Sequence, residues 1–205
     1  MRTFDDGLVV KGLDGGVSSP QKPSADLTFR ENVVWCDWGR AMELGAETRA
    51  PSFERIRFED SDIIRSTHIA MDIQHGDRAA IRDVVFENIR AEFDDEIPTP
   101  VYQHSDEQEY DPQFGSGYCP SLAVVVIYRT PYSQDPENGT VEGVLFKDIE
   151  VLGNRVPPSS LTGLDAARGV KGVVFENVRI GGKKVETREE MGLTTNGFVE
   201  GVEIR

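Results

Sequence analysis

Five short stretches of this chain read nearly alike: Leu27-Thr28-Phe29, Ile56-Arg57-Phe58-Glu59-Asp60, Val84-Val85-Phe86-Glu87-Asn88, Leu145-Phe146-Lys147-Asp148 and Val174-Phe175-Glu176-Asn177. Each is an apolar run ending in Phe and followed by polar residues, most often an acid or Lys and then Asp or Asn. The phenylalanines fall at 29, 58, 86, 146 and 175, so the steps are 29, 28, 60 and 29. Self-similarity at a fixed period of roughly 20–50 residues marks a stacked or radially repeated architecture. The step of 60 is close to two periods and predicts one intervening repeat whose Phe is disguised or missing.

Each unit contains two or three short runs with period-two alternation, such as Val33-Val34-Trp35 and Ile69-Ala70-Met71-Asp72-Ile73, and no long helical pattern. Such runs are half-buried strands. One repeat cannot bury its apolar face alone, but parallel stacking gives a continuous core with about 4.8 Å between neighbours. The Asn or Asp after each Phe suits a tight corner, because its side chain bonds nearby backbone and tolerates left-handed geometry. Like corners would stack into a polar ladder. The expected fold is all-β, a right-handed single-stranded parallel β-helix with coils of about 28–29 residues. A propeller blade would need a longer period, and the leucine-rich signature is absent.

The sequence reads as one domain over residues 1–205, as it stands or as the C-terminal part of a longer β-helix. The first strand, Leu8-Val9-Val10, has nothing before it to act as a cap. Solenoids need polar end-caps, so an upstream segment or a homodimer through the first coil is expected. Residues 14–26 read as a loop, 95–120 as a long excursion rich in Pro, acids and Tyr, 131–140 and 153–168 as further loops, and Phe198 to Arg205 as a last partial coil. The formal net charge is −14, which opposes nucleic-acid binding, since phosphate contacts need a basic face. No apolar run approaches the roughly 18 residues of a membrane-spanning helix. No signal peptide is evident at Met1. Cys36 and Cys119 form no metal or redox motif and read as free thiols. Neither a metal nor another cofactor is expected.

Aligning the second strand of each repeat by its apolar pattern places Leu8-Val9-Val10 over Met42-Glu43-Leu44 and Met71-Asp72-Ile73. Leu8, Val10, Met42, Leu44, Met71 and Ile73 then point inward, and Val9, Glu43 and Asp72 outward. Glu43 and Asp72 would be neighbours on one face, and two like charges that close raise each other's proton affinity. The same register sets Asp6 over Arg40, and Lys11 over Gly45 and Gln74. One outer face therefore gathers Asp5, Asp6, Lys11, Arg40, Glu43, Asp72 and Gln74, with His68 and His75 nearby and Trp38 beside them. Acids with a few cations, amides and an aromatic ring suit a sugar polymer. Plainer readings stand beside this one: a solvated surface for Glu43 and Asp72, a turn for Asp5-Asp6 and for His75-Gly76-Asp77, and a core position for Trp38.

These residues resemble glycoside hydrolase family 28, the polygalacturonase-like β-helices. Phe4-Asp5-Asp6-Gly7-Leu8-Val9-Val10-Lys11 is similar to the strand that bears that family's adjacent Asp pair. Gly39-Arg40-Ala41-Met42-Glu43-Leu44-Gly45 falls where the family has its Gly-His-Gly strand, and Ala70-Met71-Asp72-Ile73-Gln74 where it has Arg-Ile-Lys. The family 49 dextranases are similar at the same places. The resemblance spans roughly residues 3–92 and implies a glycosidase acting on a polysaccharide or oligosaccharide, secreted or periplasmic, with inversion at the sugar carbon. By position it implies Asp6 as acid and Asp5 as base, with Glu43 and Asp72 as replacements in the substrate groove or the catalytic pair of a diverged site; the face read above adds Lys11, Trp38, Arg40, Gln74 and His75 as substrate-binding residues. The family's His is Arg40 here, and its Arg and Lys are Asp72 and Gln74, which favours a neutral or less charged glycan, since uronates are usually held by Arg or Lys. A non-catalytic carbohydrate-binding or structural β-helix is the alternative, and a polysaccharide lyase a third.

Overall fold

A computed structural model describes residues 1–13, 22–93, 101–102, 111–112, 117–153 and 155–205. Among these every regular element is a strand. The larger sheet runs through Arg2–Thr3, Val33–Cys36, Ser52–Ser66, Ala80–Glu92, Thr140–Leu152, Val170–Glu176 and Val199–Glu200, with Ser24–Arg30 also paired to Ser52–Ser66. The second sheet runs through Leu8–Gly12, Arg40–Thr48, Ile69–His75, Ser121–Ile127, Ser159–Thr162 and Leu193–Thr195. Pairing along both paths is parallel, and both follow chain order, so each repeat adds one strand to each sheet.

The phenylalanines set the phase. Phe29 pairs with Phe58, Phe58 with Phe86, Phe86 with Phe146 and Phe146 with Phe175. Their rings stack at 4.9–5.0 Å with interplanar angles of 4–11°. That spacing matches the distance between adjacent strands, so the rings stack because the backbones do. Met42, Leu44, Met71 and Ile73 are fully buried, as the alternation predicts.

The corners are equally periodic. Asp26, Arg55, Asp83, Gly143, Gly172 and Gly201 all have φ between 49° and 69°, and Glu31, Asp60, Asn88, Asp148 and Asn177 form a second column of the same kind. This is the left-handed region, which Gly, Asn and Asp tolerate best. The expected polar ladder is present in the second column: Asn88 Nδ2 donates to Asp60 Oδ1 at 2.7 Å, and Asn177 Nδ2 to Asp148 Oδ1 at 2.6 Å.

Three expectations are corrected. The step of 60 is one layer and holds no disguised repeat, since Phe86 lies directly against Phe146. The surplus residues leave the sheets in two places. One is between Glu92 and Ser121, where the sheet strands stop and resume; most of the excursion read at 95–120 lies outside the described residues. The other follows Ile127: thirteen positions separate it from Thr140, where the layer below takes five from His75 to Ala80. Of the loop read at 14–26, residues 14–21 lie outside the described residues and Ser24 already begins a strand, and the loop read at 153–168 contains the Ser159–Thr162 strand.

Phe86 has a stacked neighbour on both sides, whereas Phe29 is only half-buried and has one. Emptying a core Phe site costs about 3–5 kcal/mol. Phe86→Ala is therefore expected to lower unfolding free energy by about 3–5 kcal/mol and Phe29→Ala by clearly less, both measured by denaturant titration.

Candidate functional site

The outer face of the second sheet places Val9 beside Glu43, Glu43 beside Asp72 and Asp72 beside Val124. The expected adjacency of the two acids is thus present. The open, solvated face is not: Glu43 is 2% exposed and Asp72 0%. Segments 4–7 and 128–132, together with the Arg40 and Gln74 side chains, close over this part of the sheet.

Asp72 is held from two sides. Gln74 Nε2 donates to its Oδ2 at 2.8 Å, and Arg40 Nε lies 3.3 Å from the same oxygen. Burial pushes its pKa up to about 6, while Arg40 and Gln74 pull it back toward the anion. Gln74 Oε1 in turn accepts a bond from the Tyr128 hydroxyl. Asp72 is the anchored anion of the pair.

Glu43 is the proton holder. Burial raises its pKa to about 10, with the charges of Asp72 and Asp6 adding to the effect and Arg40 offsetting only part of it. Its Oε2 has no hydrogen-bond partner. When protonated, the carboxyl can donate to Asp6. Asp6 is placed to accept: its Oδ1 receives the Arg40 backbone N–H at 3.0 Å, and the Asp6 backbone N–H is itself received by Asp5 Oδ1 at 2.8 Å. A Cβ at position 39 would come within 2.5 Å of the Asp6 nitrogen, so Gly39 is what lets segment 4–7 close down.

Lys11 departs from its expected register. The strands slip between Val10, which pairs with Leu44, and Gly12, which pairs with Thr48. Residues 45–47 bulge, and Lys11 Nζ meets Glu47 Oε2 at 3.0 Å and Asp6 Oδ2 at 3.9 Å. Lys11 therefore does not lie over Gly45 and Gln74.

These groups surround a pocket of about 320 Å³. Asp5, Asp6, Lys11, Trp38, Arg40, Glu43 and Gln74 line it, so seven of the nine residues anticipated from sequence converge on one cavity. Trp38 lies at the pocket and stacks on the exposed Phe4 ring at 6.5 Å and 9°. Asp72 supports the floor from below rather than lining it. His75 is the misplaced candidate. It is fully buried, its Nδ1 lies 2.7 Å from Thr48 Oγ1, burial pulls its pKa down to about 4, and it contributes nothing to the cavity wall.

Sequence reasoning missed Ala46, Glu47, Tyr128, Thr130, Pro131 and Tyr132, which complete the lining. Glu47 was hidden by the bulge. Tyr128 to Tyr132 directly follow the apolar Ser121–Ile127 strand, and the signal was there: with the 60-residue step taken as one layer, Val126 falls beside Gln74 and Ile127 beside His75, which brings Tyr128 within reach of Gln74. Among the described residues no group of three or more His, Cys, Asp or Glu has the arrangement of a metal site. Among the described residues no disulfide joins Cys36 or Cys119; Cys36 is buried, and that burial pushes its thiol up to about 11.

Comparison with protein-family models, with curated proteins and with solved structures yields no match.

The elevated Glu43 pKa sets a pH dependence. A carboxyl that ionises near 4.5 unfolded and about 10 folded takes up a proton on folding throughout that interval. Its contribution is fully present below about 4.5 and is lost as pH rises toward 10, with a slope of about 1.4 kcal/mol per pH unit. Asp72 has the same sign but is finished above about 6, and Cys36 enters only near 9. Between pH 7 and 8 the wild type should lose stability with rising pH, and Glu43→Gln should flatten that slope, as read by melting temperature across the window.

Proposed function

We propose that the stacked layers wind as a right-handed single-stranded parallel β-helix, and that its outer face bears a glycoside hydrolase site for an uncharged polysaccharide or oligosaccharide. Parallel strands in chain order within one sheet require crossover connections, and such connections are right-handed in about 98% of cases. The supporting observation for the activity is the protonated Glu43 at the floor of a pocket that also holds the carboxylates Asp5 and Asp6.

Glycoside hydrolysis needs one carboxyl that holds a proton and one that does not. Glu43 takes the acid role: its proton passes to the glycosidic oxygen as the bond to the sugar carbon breaks. Asp5, exposed at the pocket rim, takes a proton from the water that attacks that carbon. Asp6 is better suited to orienting Glu43 than to acting as the acid, because its carboxylate accepts from the Arg40 amide and faces the Glu43 proton. This redistributes the roles that the family resemblance implies.

The substrate class follows from the state of the cations. Arg40 is occupied by Asp72, and Lys11 by Glu47. Burial pulls both cations down, yet neighbouring acids hold both above their ordinary ranges, so each stays charged and paired. A uronate would find acids in excess and, among the described residues, no uncommitted cation in the pocket. For the same reason neither Lys11 nor Arg40 is available as the base of a lyase. Trp38 offers the apolar ring face on which sugar rings stack.

A panel of uncharged and uronate glycans assayed for reducing-end release tests this. Release from an uncharged member is expected, with Glu43→Gln lowering kcat by about 10²–10⁴. Saturable binding of the panel without any product would favour the non-catalytic reading, and turnover indifferent to Glu43→Gln would remove Glu43 from the mechanism.

A further inference from the structure

The far wall of the pocket is built from the surplus segment after Ile127, and that segment is held by a residue outside the pocket. Asp77 is fully buried and has no place in the cavity lining. Its Oδ1 accepts the backbone N–H groups of Gln134 at 2.7 Å and Asp135 at 2.8 Å, and its Oδ2 accepts the Thr48 N–H at 3.2 Å. Its own N–H donates to Thr48 Oγ1 at 2.9 Å. One carboxylate therefore joins three successive layers of the stack.

Asp135 repeats the device from the other side. It is 4% exposed, and its carboxylate receives Arg49 Nε at 3.0 Å and the Arg78 guanidinium, while its carbonyl accepts from Arg129. Asn138 Nδ2 bridges the carbonyls of His75 and Tyr128 at 3.0 and 3.1 Å. Within the segment, Ser133 Oγ accepts the Thr130 N–H at 2.9 Å, which closes the turn bearing Pro131 and Tyr132. Gly76 allows the close approach: a Cβ there would lie 2.5 Å from the Ala46 carbonyl oxygen and 3.0 Å from Ser133 Oγ.

We infer that Asp77, with Asp135 as its counterpart, is a positioning residue that fixes the Tyr128–Tyr132 wall against the acids and so determines which saccharide the pocket admits. The saccharide part of this rests on the function proposed above; the fixing of the wall does not. Loop segments that line sites are often mobile lids. This one has its backbone donors tied to a buried carboxylate, where leaving them unmet is costly, so it is a preformed wall. The prediction is specific: loosening the anchor should change recognition and leave the chemistry alone, because Glu43 and Asp5 come from other segments.

The test compares wild type with Asp77→Asn, which keeps size and shape but turns one acceptor oxygen into a donor facing backbone N–H groups. Hydrogen exchange followed by mass spectrometry should show exchange across 128–135 rising about tenfold or more, with the Phe86 layer unaffected. On the uncharged glycan that the wild type cleaves, KM should rise about tenfold, with kcat within about threefold and an unmoved pH profile. Should Asp77→Asn fail to fold, Asp135→Asn removes the charge opposite Arg49 and Arg78, leaves Asp77 in place, and should act in the same direction. Unchanged exchange in the folded variant would overturn the inference, as would a loss confined to kcat. Absence of glycan turnover in the wild type would refute the hydrolase reading, while the exchange comparison would still decide whether Asp77 holds the wall.

Discussion

The structure depends on one constraint: every layer must repeat in phase with the one below. A residue-by-residue parallel register puts like on like, so a Phe column, two columns of left-handed corners and an outward column running Val9, Glu43, Asp72 and Val124 all arise from the same condition. The Phe rings are apolar and flat and gain from stacking. Most corners tolerate positive φ through Gly, Asn or Asp, with Arg55 and Glu31 the other side chains in the two columns, and in the second column Asn and Asp bond one another. Neither feature would hold the register alone, since strands can slip, but a slip of one residue would expose the Phe column and bury the charged face.

The same condition that benefits the core is adverse on the outer face. Stacking in phase forces Glu43 beside Asp72, and burial removes the water that would screen them. The molecule resolves this asymmetrically. Asp72 receives Arg40 and Gln74 and stays an anion; Glu43 receives no direct cation and keeps its proton. Two acids of similar intrinsic strength are thereby driven apart in proton affinity by their partners. That separation is what an acid–base site requires, and it follows from where the neighbours of each carboxylate lie rather than from either residue type.

Much of this was legible in the sequence, and what was not has definite physical causes. The repeat showed the strands, the inward residues and the adjacency of Glu43 and Asp72, because period-two alternation and a fixed step are properties of the chain itself. It could not show that the outer face was covered, since cover comes from segments 4–7 and 128–132, which are not strands and whose path alternation does not fix. The bulge that turns Lys11 toward Glu47 is a local slip that alternation alone does not reveal. His75 looked like a surface residue beside Gln74, yet strand alternation turns it inward to Thr48. The reading of the 60-residue step as two layers had the widest effect: it separated Tyr128 from Gln74, whose side chains share a hydrogen bond.

A division of labour follows from that last correction. Residues that obey the repeat build the floor of the pocket, and residues in excess of the repeat build its walls. The surplus after Ile127 is short enough to be tied down at every turn by Asp77, Asp135 and Asn138, all of them 7% exposed or less. Their carboxylates and amide satisfy backbone groups that a loop crossing a stacked sheet would otherwise bury unpaired. In a stack of this kind an insertion need not disturb the layers above and below, as the direct contact of Phe86 with Phe146 across the surplus shows. On the proposed function, change in recognition can therefore accumulate in the inserted wall while the acids on the floor stay fixed by the register.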